Sequence, residues 1–204
     1  MTAWPMPRIQ PHTILVSPIG NIAPWITRVI AAKVEDFFGF KTRVVPLLED
    51  ISFAHDPDRN QYHSTSILTQ LEACCPREGL KVIAITREDL FIPILTHVYG
   101  EAQLGGRACI LSISRLISGP DMGGPDSGAS RIVKEAIHEL GHTFDLRHCE
   151  DELCIMHYCR ILEDVDKKSN RFCRYCTIFL SDNIKADNLV ADPIRIDNLK
   201  RPGQ

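Results

Sequence analysis

The chain has 204 residues, of which 44% are hydrophobic and 24% charged, so its composition suits one globular domain and is unlike that of a disordered protein. A formal net charge of −3 argues against a nucleic-acid-binding protein, because such proteins usually carry an excess of basic residues. The most apolar early stretch, residues 13–32, contains two prolines, a glycine and an arginine and is therefore not a membrane span. We find no signal peptide and expect a monomeric, cytoplasmic protein without nucleic-acid or membrane partners.

Strand and helix signals alternate along the first two thirds of the chain, which predicts an α/β fold. Residues 13–18 are predicted to form a buried strand, and residues 23–38 an amphipathic helix that Gly39 can end. The further predicted elements are a helix at residues 64–75 and strands at residues 42–48, 81–86, 96–99 and 108–114. The last two strands are close together and joined through glycines, so we expect them to pair antiparallel.

A loop rich in glycine, proline and aspartate is predicted at residues 118–130, and Ser130 is predicted to cap a helix over residues 131–144. Hydrophobic periodicity weakens after this helix, and cysteines gather there. We therefore divide the chain, within one compact domain, into an N-terminal α/β subdomain at residues 1–145 and a smaller, irregular C-terminal subdomain at residues 146–204.

The predicted helix contains the sequence H-E-L-G-H, in which His138 and His142 are four residues apart. Residues at this spacing lie on the same face of a helix, so both imidazoles can reach one metal ion. Imidazole ligands suit zinc, and three protein ligands leave a fourth position open for water. We predict His148 as the third ligand, which requires the chain to turn sharply after His142. Glu139 can then reach the metal-bound water as a general base.

The cysteines form a second pattern, in which Cys149 and Cys154 are separated by four residues and Cys173 and Cys176 by two. Two such pairs joined by a loop are typical of a structural zinc site. A total of eight cysteines is too few for a secreted disulfide scaffold, and in a reducing compartment clustered cysteines more often bind metal or act in redox chemistry. A redox C-x-x-C motif and disulfides are the alternatives to zinc.

The two motifs together give H-E-x-x-H-x5-H-C-x4-C-x-M-x16-C-x-x-C over residues 138–176. This pattern resembles the archaemetzincin family of metzincin zinc metallopeptidases. The resemblance implies a metzincin-like α/β fold with a mixed, twisted sheet, an active-site helix and a small, zinc-stapled C-terminal subdomain. It also implies that the three histidines bind zinc, that Glu139 is the general base and acid, and that Met156 belongs to the turn beneath the metal site.

The chain departs from the metzincin pattern at Asp145, where these peptidases usually have glycine. Glycine serves a turn whose backbone conformation is awkward for residues with a Cβ, and aspartate tolerates the left-handed region better than most other residues. We expect the turn to form, and we take a change in metal affinity or water activation as the consequence to test.

These features predict a zinc metallopeptidase that hydrolyses peptide bonds by means of a zinc-bound water activated by Glu139. It would hold two Zn²⁺ ions, one catalytic at the histidines and one structural at the four cysteines. A peptide or protein substrate is expected to pair in extended form with an exposed strand edge at residues 96–100. The alternatives are a catalytically weak or inactive zinc module that binds peptides or proteins, and a hydrolase of another amide or ester.

Overall fold

The computed structural model of the chain describes residues 12–117, 125–187 and 189. The strands in these ranges are β1 (Thr13–Pro18), β2 (Thr42–Val44), β3 (His55–Asp56), β4 (Gln61–His63), β5 (Gly79–Thr86), β6 (Leu90–Phe91), β7 (Gly100–Ala102) and β8 (Ala108–Ser112). The α-helices are α1 (Pro24–Phe38), α2 (Ser64–Cys74), α3 (Pro125–Thr143), α4 (Leu162–Lys167) and α5 (Arg174–Ala186), and a 3₁₀ turn lies at Ser52–Ala54.

A five-stranded mixed sheet with the order β2-β1-β5-β8-β7 forms the centre of the fold. The first four strands in this order run parallel, whereas β7 pairs antiparallel with β8 at one edge. An antiparallel pair is therefore present at this edge, but it is formed by Gly100–Ala102 and not by the predicted residues 96–99. The strands β3, β4 and β6 form a separate small sheet. A mixed sheet with helices packed on it confirms the α/β class.

Both faces of the large sheet are covered by helices. Successive side chains of a strand point to opposite faces, so Ile14 and Val16 of β1 belong to one apolar core and Leu15 to another. The first core includes residues of α1 and α3, and the second includes residues of α2. Strands buried on both faces are continuous apolar runs rather than alternating ones, which is why their positions could be found in the sequence.

Two element boundaries differ from the prediction by more than two residues, at β2 and at α3. The strand β2 ends before Pro46, because proline cannot donate a ladder hydrogen bond, and the amide of Leu47 donates to Ser17 Oγ instead. The helix α3 begins at Pro125 and not at residue 131, so Ser130 lies inside the helix and does not cap it. Proline is favoured in the first helical turn, where its missing N–H has no intrahelical acceptor. Of the predicted loop, residues 118–124 lie outside the described ranges.

The predicted strand at residues 96–99 is wrong in position. The edge strand β7 lies at Gly100–Ala102, and Val98 makes only a single bridge with Leu90. Because glycine has a low propensity for strands, the sequence predicts a strand that ends before residue 100. The strand forms at Gly100 because β8 beside it supplies the ladder partner, with Gly100 opposite Leu111.

The chain after residue 145 contributes α4 and α5 and returns to the first apolar core. Leu180 and Ile184 of α5 are buried in that core. Phe172 meets Phe38 of α1 edge-on, with ring centroids 6.1 Å apart. None of the helices in the described ranges is long and apolar enough to cross a membrane.

Two candidate metal centres

The helix α3 places the first two histidines of the motif on the wall of a cleft. His138 and His142 stand one helical turn apart, and their Nε2 atoms are 3.1 Å from one another. His138 and the neighbouring Glu139 are almost fully buried, with 4% and 6% of their surface exposed. The helix thus brings both imidazoles to one point.

A turn after α3 returns the chain to this point. Asp145 has a φ of +62°, in the left-handed region that glycine adopts most easily and aspartate tolerates. The turn brings the ring of His148 to 5.3 Å from that of His138 and 4.8 Å from that of His142, measured between ring centroids. Ligand nitrogens from the three histidines all lie within 4.8 Å of one another. The turn therefore forms with aspartate in the position where glycine is usual.

The side chain of Asp145 does not belong to the histidine cleft. It is absent from the described residues that line the cleft. It lines a neighbouring cavity of about 560 Å³ together with Tyr175 and Phe179, and His148 borders both spaces. The carboxylate of Asp145 is therefore part of the turn and not of the cleft lining.

The histidine cluster fits a metal cation. The Nδ1–H of His138 donates to the carbonyl oxygen of Ile155 over 2.9 Å, and the Nδ1–H of His142 donates to that of Leu146 over 2.7 Å. Burial lowers the pKa of His138 well below its usual value and that of His142 to about 4, so both rings are neutral. Their Nε2 lone pairs then face each other, which is repulsive unless a cation lies between them. Neutral imidazoles with fixed tautomers are a donor set that suits zinc.

The carboxyl group of Glu139 lines the same cleft, which has a volume of about 530 Å³. Burial raises the pKa of Glu139 well above its usual value. The backbone of β7 runs directly against this side chain, since a Cβ at Gly100 would lie 2.6 Å from Glu139 Cγ. The other walls come from residues 92, 95–99, 101, 135 and 158–160. The cleft therefore combines the histidine cluster, a carboxyl group and the open edge of the sheet.

Met156 lies beneath α3 and is fully buried. A Cβ at Gly141 would lie 2.5 Å from the sulfur of Met156, so glycine at this position lets the methionine approach α3. The sequence indicated Met156 only through the family resemblance. Gly141 occupies a variable position of H-E-x-x-H, and neither periodicity nor motif could mark it.

The four predicted cysteines converge at a second point. Their ligand atoms all lie within 4.8 Å of one another, and all four cysteines are free of disulfides. Cys173 caps α5, where its Sγ accepts a hydrogen bond from the amide of Cys176 over 3.5 Å. The amide of Cys173 in turn donates to Cys154 Sγ over 3.2 Å. Backbone amides and the positive end of a helix favour thiolate sulfur.

Hydrogen bonding and burial shift the cysteine pKa values in opposite directions. The hydrogen bond from the Cys176 thiol and backbone amides lower the pKa of Cys154 to about 5, whereas burial raises the pKa of Cys149 to about 11. Four sulfur atoms at this separation repel one another once ionised, and a thiophilic cation removes that repulsion. Such a donor set suits a closed, structural zinc site. Cys159 lies outside this cluster and lines the histidine cleft.

The two centres are joined by backbone hydrogen bonds. Cys149 directly follows His148, and its amide donates to the carbonyl oxygen of Met156 over 3.0 Å. The Nδ1–H of His157 donates to the carbonyl oxygen of Cys149 over 2.9 Å. These hydrogen bonds fix the backbone of Cys149, a residue of the cysteine cluster, and therefore also the position of the adjoining His148.

Two charged residues of α3, Arg131 and Glu135, are buried against α4 and the residue after it. Neither burial was predicted from the sequence. Arg131 donates two hydrogen bonds of 2.6 Å to Asp166, and Glu135 pairs with Lys168 Nζ over 2.5 Å. Charged residues on a helix ordinarily face water, so their identity gave no sign of burial. Glu135 has one signal, because it stands four residues before Glu139 and therefore shares its helical face.

Comparison with known proteins identifies the family. The family model for peptidase family M54 matches residues 70–182. An archaemetzincin of Methanopyrus kandleri is 42% identical over 132 residues, which are 65% of this chain and 73% of the relative. An archaemetzincin of Methanocaldococcus jannaschii is 33% identical over 173 residues, which are 83% of this chain and 93% of the relative.

Solved structures agree with these relatives. The crystal structure of the Methanopyrus kandleri archaemetzincin superposes with a TM-score of 0.74 at 33% identity, covering 88% of this chain and 98% of the other. That of the Archaeoglobus fulgidus archaemetzincin, a malonate complex, gives 0.71 at 31% identity, covering 82% and 99%. A zinc-dependent peptidase of Methanocorpusculum labreanum gives 0.72 at 26% identity, covering 82% and 99%. The chain therefore belongs to peptidase family M54, the archaemetzincins, and is a zinc metallopeptidase.

Proposed function

We propose that the chain hydrolyses peptide bonds at the histidine cluster, with His138, His142 and His148 as zinc ligands and Glu139 as general base and acid. The observation that supports this best is the convergence of the three imidazoles beside a buried carboxyl group in one cleft. Zinc bound there would supply a Lewis acid that polarises a carbonyl group and lowers the pKa of a water.

The role proposed for Glu139 is proton transfer. Its carboxylate accepts a proton from the attacking water as the oxygen–carbon bond forms. The same carboxyl group then delivers the proton to the amide nitrogen as the carbon–nitrogen bond breaks. Burial raises its pKa, and a base with a raised pKa accepts a proton more readily near neutral pH.

The open edge of β7 is the proposed site for the substrate backbone. Among the described residues β7 pairs with β8 on one side only, and Gly100 and Glu101 line the cleft on the other. An extended peptide can add to such an edge through main-chain hydrogen bonds, which position a peptide bond without demanding one sequence. This places the edge at Gly100–Ala102, a few residues after the position expected from the sequence.

A second, structural zinc is proposed at Cys149, Cys154, Cys173 and Cys176. Four thiolate ligands close the coordination shell, so this site would stabilise the fold and not take part in the reaction. Because Cys149 adjoins His148, the ion would also fix the backbone of the third histidine. The proposal includes the division of the chain into two subdomains at residue 145. The sheet and α3 precede this point, and His148, Met156 and the cysteine site follow it.

The test uses the zinc-loaded protein, a peptide library and the variant Glu139→Gln. The variant is expected to retain zinc and to lose hydrolysis by about 10²- to 10⁴-fold, because it cannot accept the proton. Glu78→Gln, which alters an exposed carboxylate outside the cleft, is the control and is expected to remain active. Undiminished turnover in Glu139→Gln would sink the mechanism. If the wild type binds peptides without turnover, the result would favour a zinc module that only binds peptides or proteins. Turnover of esters alone would favour a hydrolase of another substrate class.

A further inference from the structure

A buried ion pair lies beside the histidine cluster. Lys168, the residue after α4, places its Nζ 2.5 Å from Oε1 of Glu135 in α3. The two side chains are 0% and 4% exposed. Removing two charges from water is expensive, and apolar residues of the same size are often at least as stabilising. The stability of the fold is therefore a poor explanation for this pair.

Attachment of α3 to α4 is also a poor explanation, because other contacts already provide it. Arg131 donates two hydrogen bonds of 2.6 Å to Asp166 of α4. Lys134 Nζ donates to the carbonyl oxygens of Val165 and Asp166, over 2.9 and 3.1 Å. These contacts leave the helices joined whether or not an ion pair follows them.

The position of Glu135 explains the pair better. It precedes His138 by three residues and His142 by seven, so the three side chains share one face of α3. Glu135 also lines the cleft that holds the histidines. A carboxylate is a good zinc ligand, and a fourth protein ligand would close the position that a catalytic zinc must keep open for water or substrate.

We propose that Lys168 is a positioning residue that holds the carboxylate of Glu135 away from the histidine cluster and so keeps the metal's fourth position open. Lys168 acts through Glu135, the carboxylate that its Nζ faces. The inference rests on the proposed role of the histidines as a catalytic zinc site.

The test compares the wild type with Lys168→Met, Glu135→Gln and the double variant, all with zinc at the cysteine site. Lys168→Met frees the carboxylate, so the histidine site is expected to bind zinc about tenfold more tightly and kcat is expected to fall about tenfold or more. The double variant is expected to return both quantities towards wild type. A merely structural role predicts weaker zinc binding in Lys168→Met and no recovery in the double variant.

Cobalt supplies a readout that is independent of activity. Co²⁺ added to the histidine site reports its ligands through the visible spectrum, and zinc retained at the cysteines keeps thiolate bands out of it. The spectrum is expected to change in Lys168→Met and to match the wild type in Glu135→Gln and in the double variant. Loss of a positive charge alone would tighten metal binding equally with glutamate or glutamine at position 135.

Two further variants guard against misfolding. Lys168→Leu also removes the charge and the donor to Glu135, with a different apolar side chain, and it replaces Lys168→Met in the comparison if that variant does not fold. Lys134→Met removes a second buried lysine, which lies on α3 next to Glu135, and is expected to lower stability while leaving the cobalt spectrum unchanged.

An unchanged cobalt spectrum and unchanged zinc affinity in the Lys168 variants would overturn the proposal. A wild-type protein that hydrolyses no peptide would instead count against the proposed function. The metal-binding comparison would still show whether Lys168 restrains Glu135.

Discussion

Gly100 of β7 and Glu139 of α3 are in direct contact. A Cβ at position 100 would lie 2.6 Å from Glu139 Cγ and 2.7 Å from Cδ, and also 2.6 Å from the carbonyl oxygen of Ile110 in the neighbouring strand. Both distances to Glu139 are far inside van der Waals contact. The backbone of the edge strand can therefore lie against the proposed base only because residue 100 has no side chain.

The substitution Gly100→Ala is expected to displace Glu139 and the edge strand together. A misplacement of about 1 Å near reacting groups can reduce a rate about 100-fold, so we expect kcat/KM to fall by about 10- to 100-fold. The zinc content is expected to stay at the wild-type value, since none of the metal-binding side chains is altered. Steady-state kinetics and metal analysis on the same preparation check both expectations.

Gly128→Ala is the matched control because it makes the same chemical change inside α3. A Cβ there would meet Ile117 Cγ2 at an ordinary 3.9 Å. Alanine is the better helix former, so we expect unchanged activity and a free energy of unfolding that rises by about 0.5–1 kcal/mol. Equal losses of activity in the two alanine variants would contradict a specific contact between Gly100 and Glu139.

The contrast between Gly100 and His142 shows which parts of the site are readable from the sequence. His138 and His142 are related by the period of one helix, so their spacing alone places them together. His148 reaches the other two histidines through a single local turn after α3. Gly100 and Glu139 are 39 positions apart and meet only because β7 is the edge of the sheet nearest α3. A contact of that kind follows from tertiary packing, for which a single sequence carries no periodic signal.

The buried charges of α3 mark a second limit. The apolar residues that recur at helical spacing in α3 are buried, namely Ile132, Val133, Ala136, Ile137 and Leu140. The spacing of Glu135 from Glu139 did not reveal its partner, because Lys168 lies among the variable positions between Met156 and Cys173, in a segment with weak periodicity. Hydrophobic patterns reveal surfaces that avoid water, whereas buried ion pairs depend on geometry between distant segments.

The turn at Asp145 provides a stability prediction. At a φ of +62°, a β-branched side chain is strained, so Asp145→Val is expected to lower the free energy of unfolding by about 1–2 kcal/mol. Asp145→Gly and Asp145→Asn are expected to remain within about 0.5 kcal/mol of the wild type. Urea unfolding at one fixed, saturating zinc concentration checks the three values, because bound zinc itself contributes to stability.

The same variants separate the turn from the reaction. Asp145 lines a cavity other than the histidine cleft, so Asp145→Gly is expected to retain wild-type kcat and zinc affinity. A several-fold change in kcat for Asp145→Gly, with the stability unchanged, would show that the carboxylate acts on the site after all.

The cysteine cluster predicts a coupling between structural metal and activity. Cys154→Ser removes one of the four sulfur ligands, so we expect the zinc content to fall from about two per chain to about one and the protein to become less stable. Activity is expected to fall as well, because Cys149 shares hydrogen bonds with the segment around Met156 and adjoins His148. Metal analysis, thermal unfolding and kinetics measure the three effects.

Cys74→Ser is the control for the chemical change, since this thiol is exposed on α2 and lies outside the cluster. It is expected to retain both zinc ions, the stability and the activity. A wild-type zinc content of one per chain, or an unaltered zinc content in Cys154→Ser, would contradict a structural zinc at the cysteines.

The packing of Gly141 on Met156 supports a prediction about coupled substitutions. A Cβ at position 141 would lie 2.5 Å from the sulfur of Met156, so Gly141→Ala overpacks the site and is expected to destabilise the protein by about 1–3 kcal/mol. Met156→Val removes the sulfur and leaves room, and alone it creates a cavity that also destabilises. In the double variant the new methyl group occupies part of that room. Its destabilisation is therefore expected to be smaller than the sum of the two single effects by about 0.5–3 kcal/mol, measured as a double-mutant cycle of unfolding free energies. Strict additivity of the two single effects would show that residues 141 and 156 are not in steric contact.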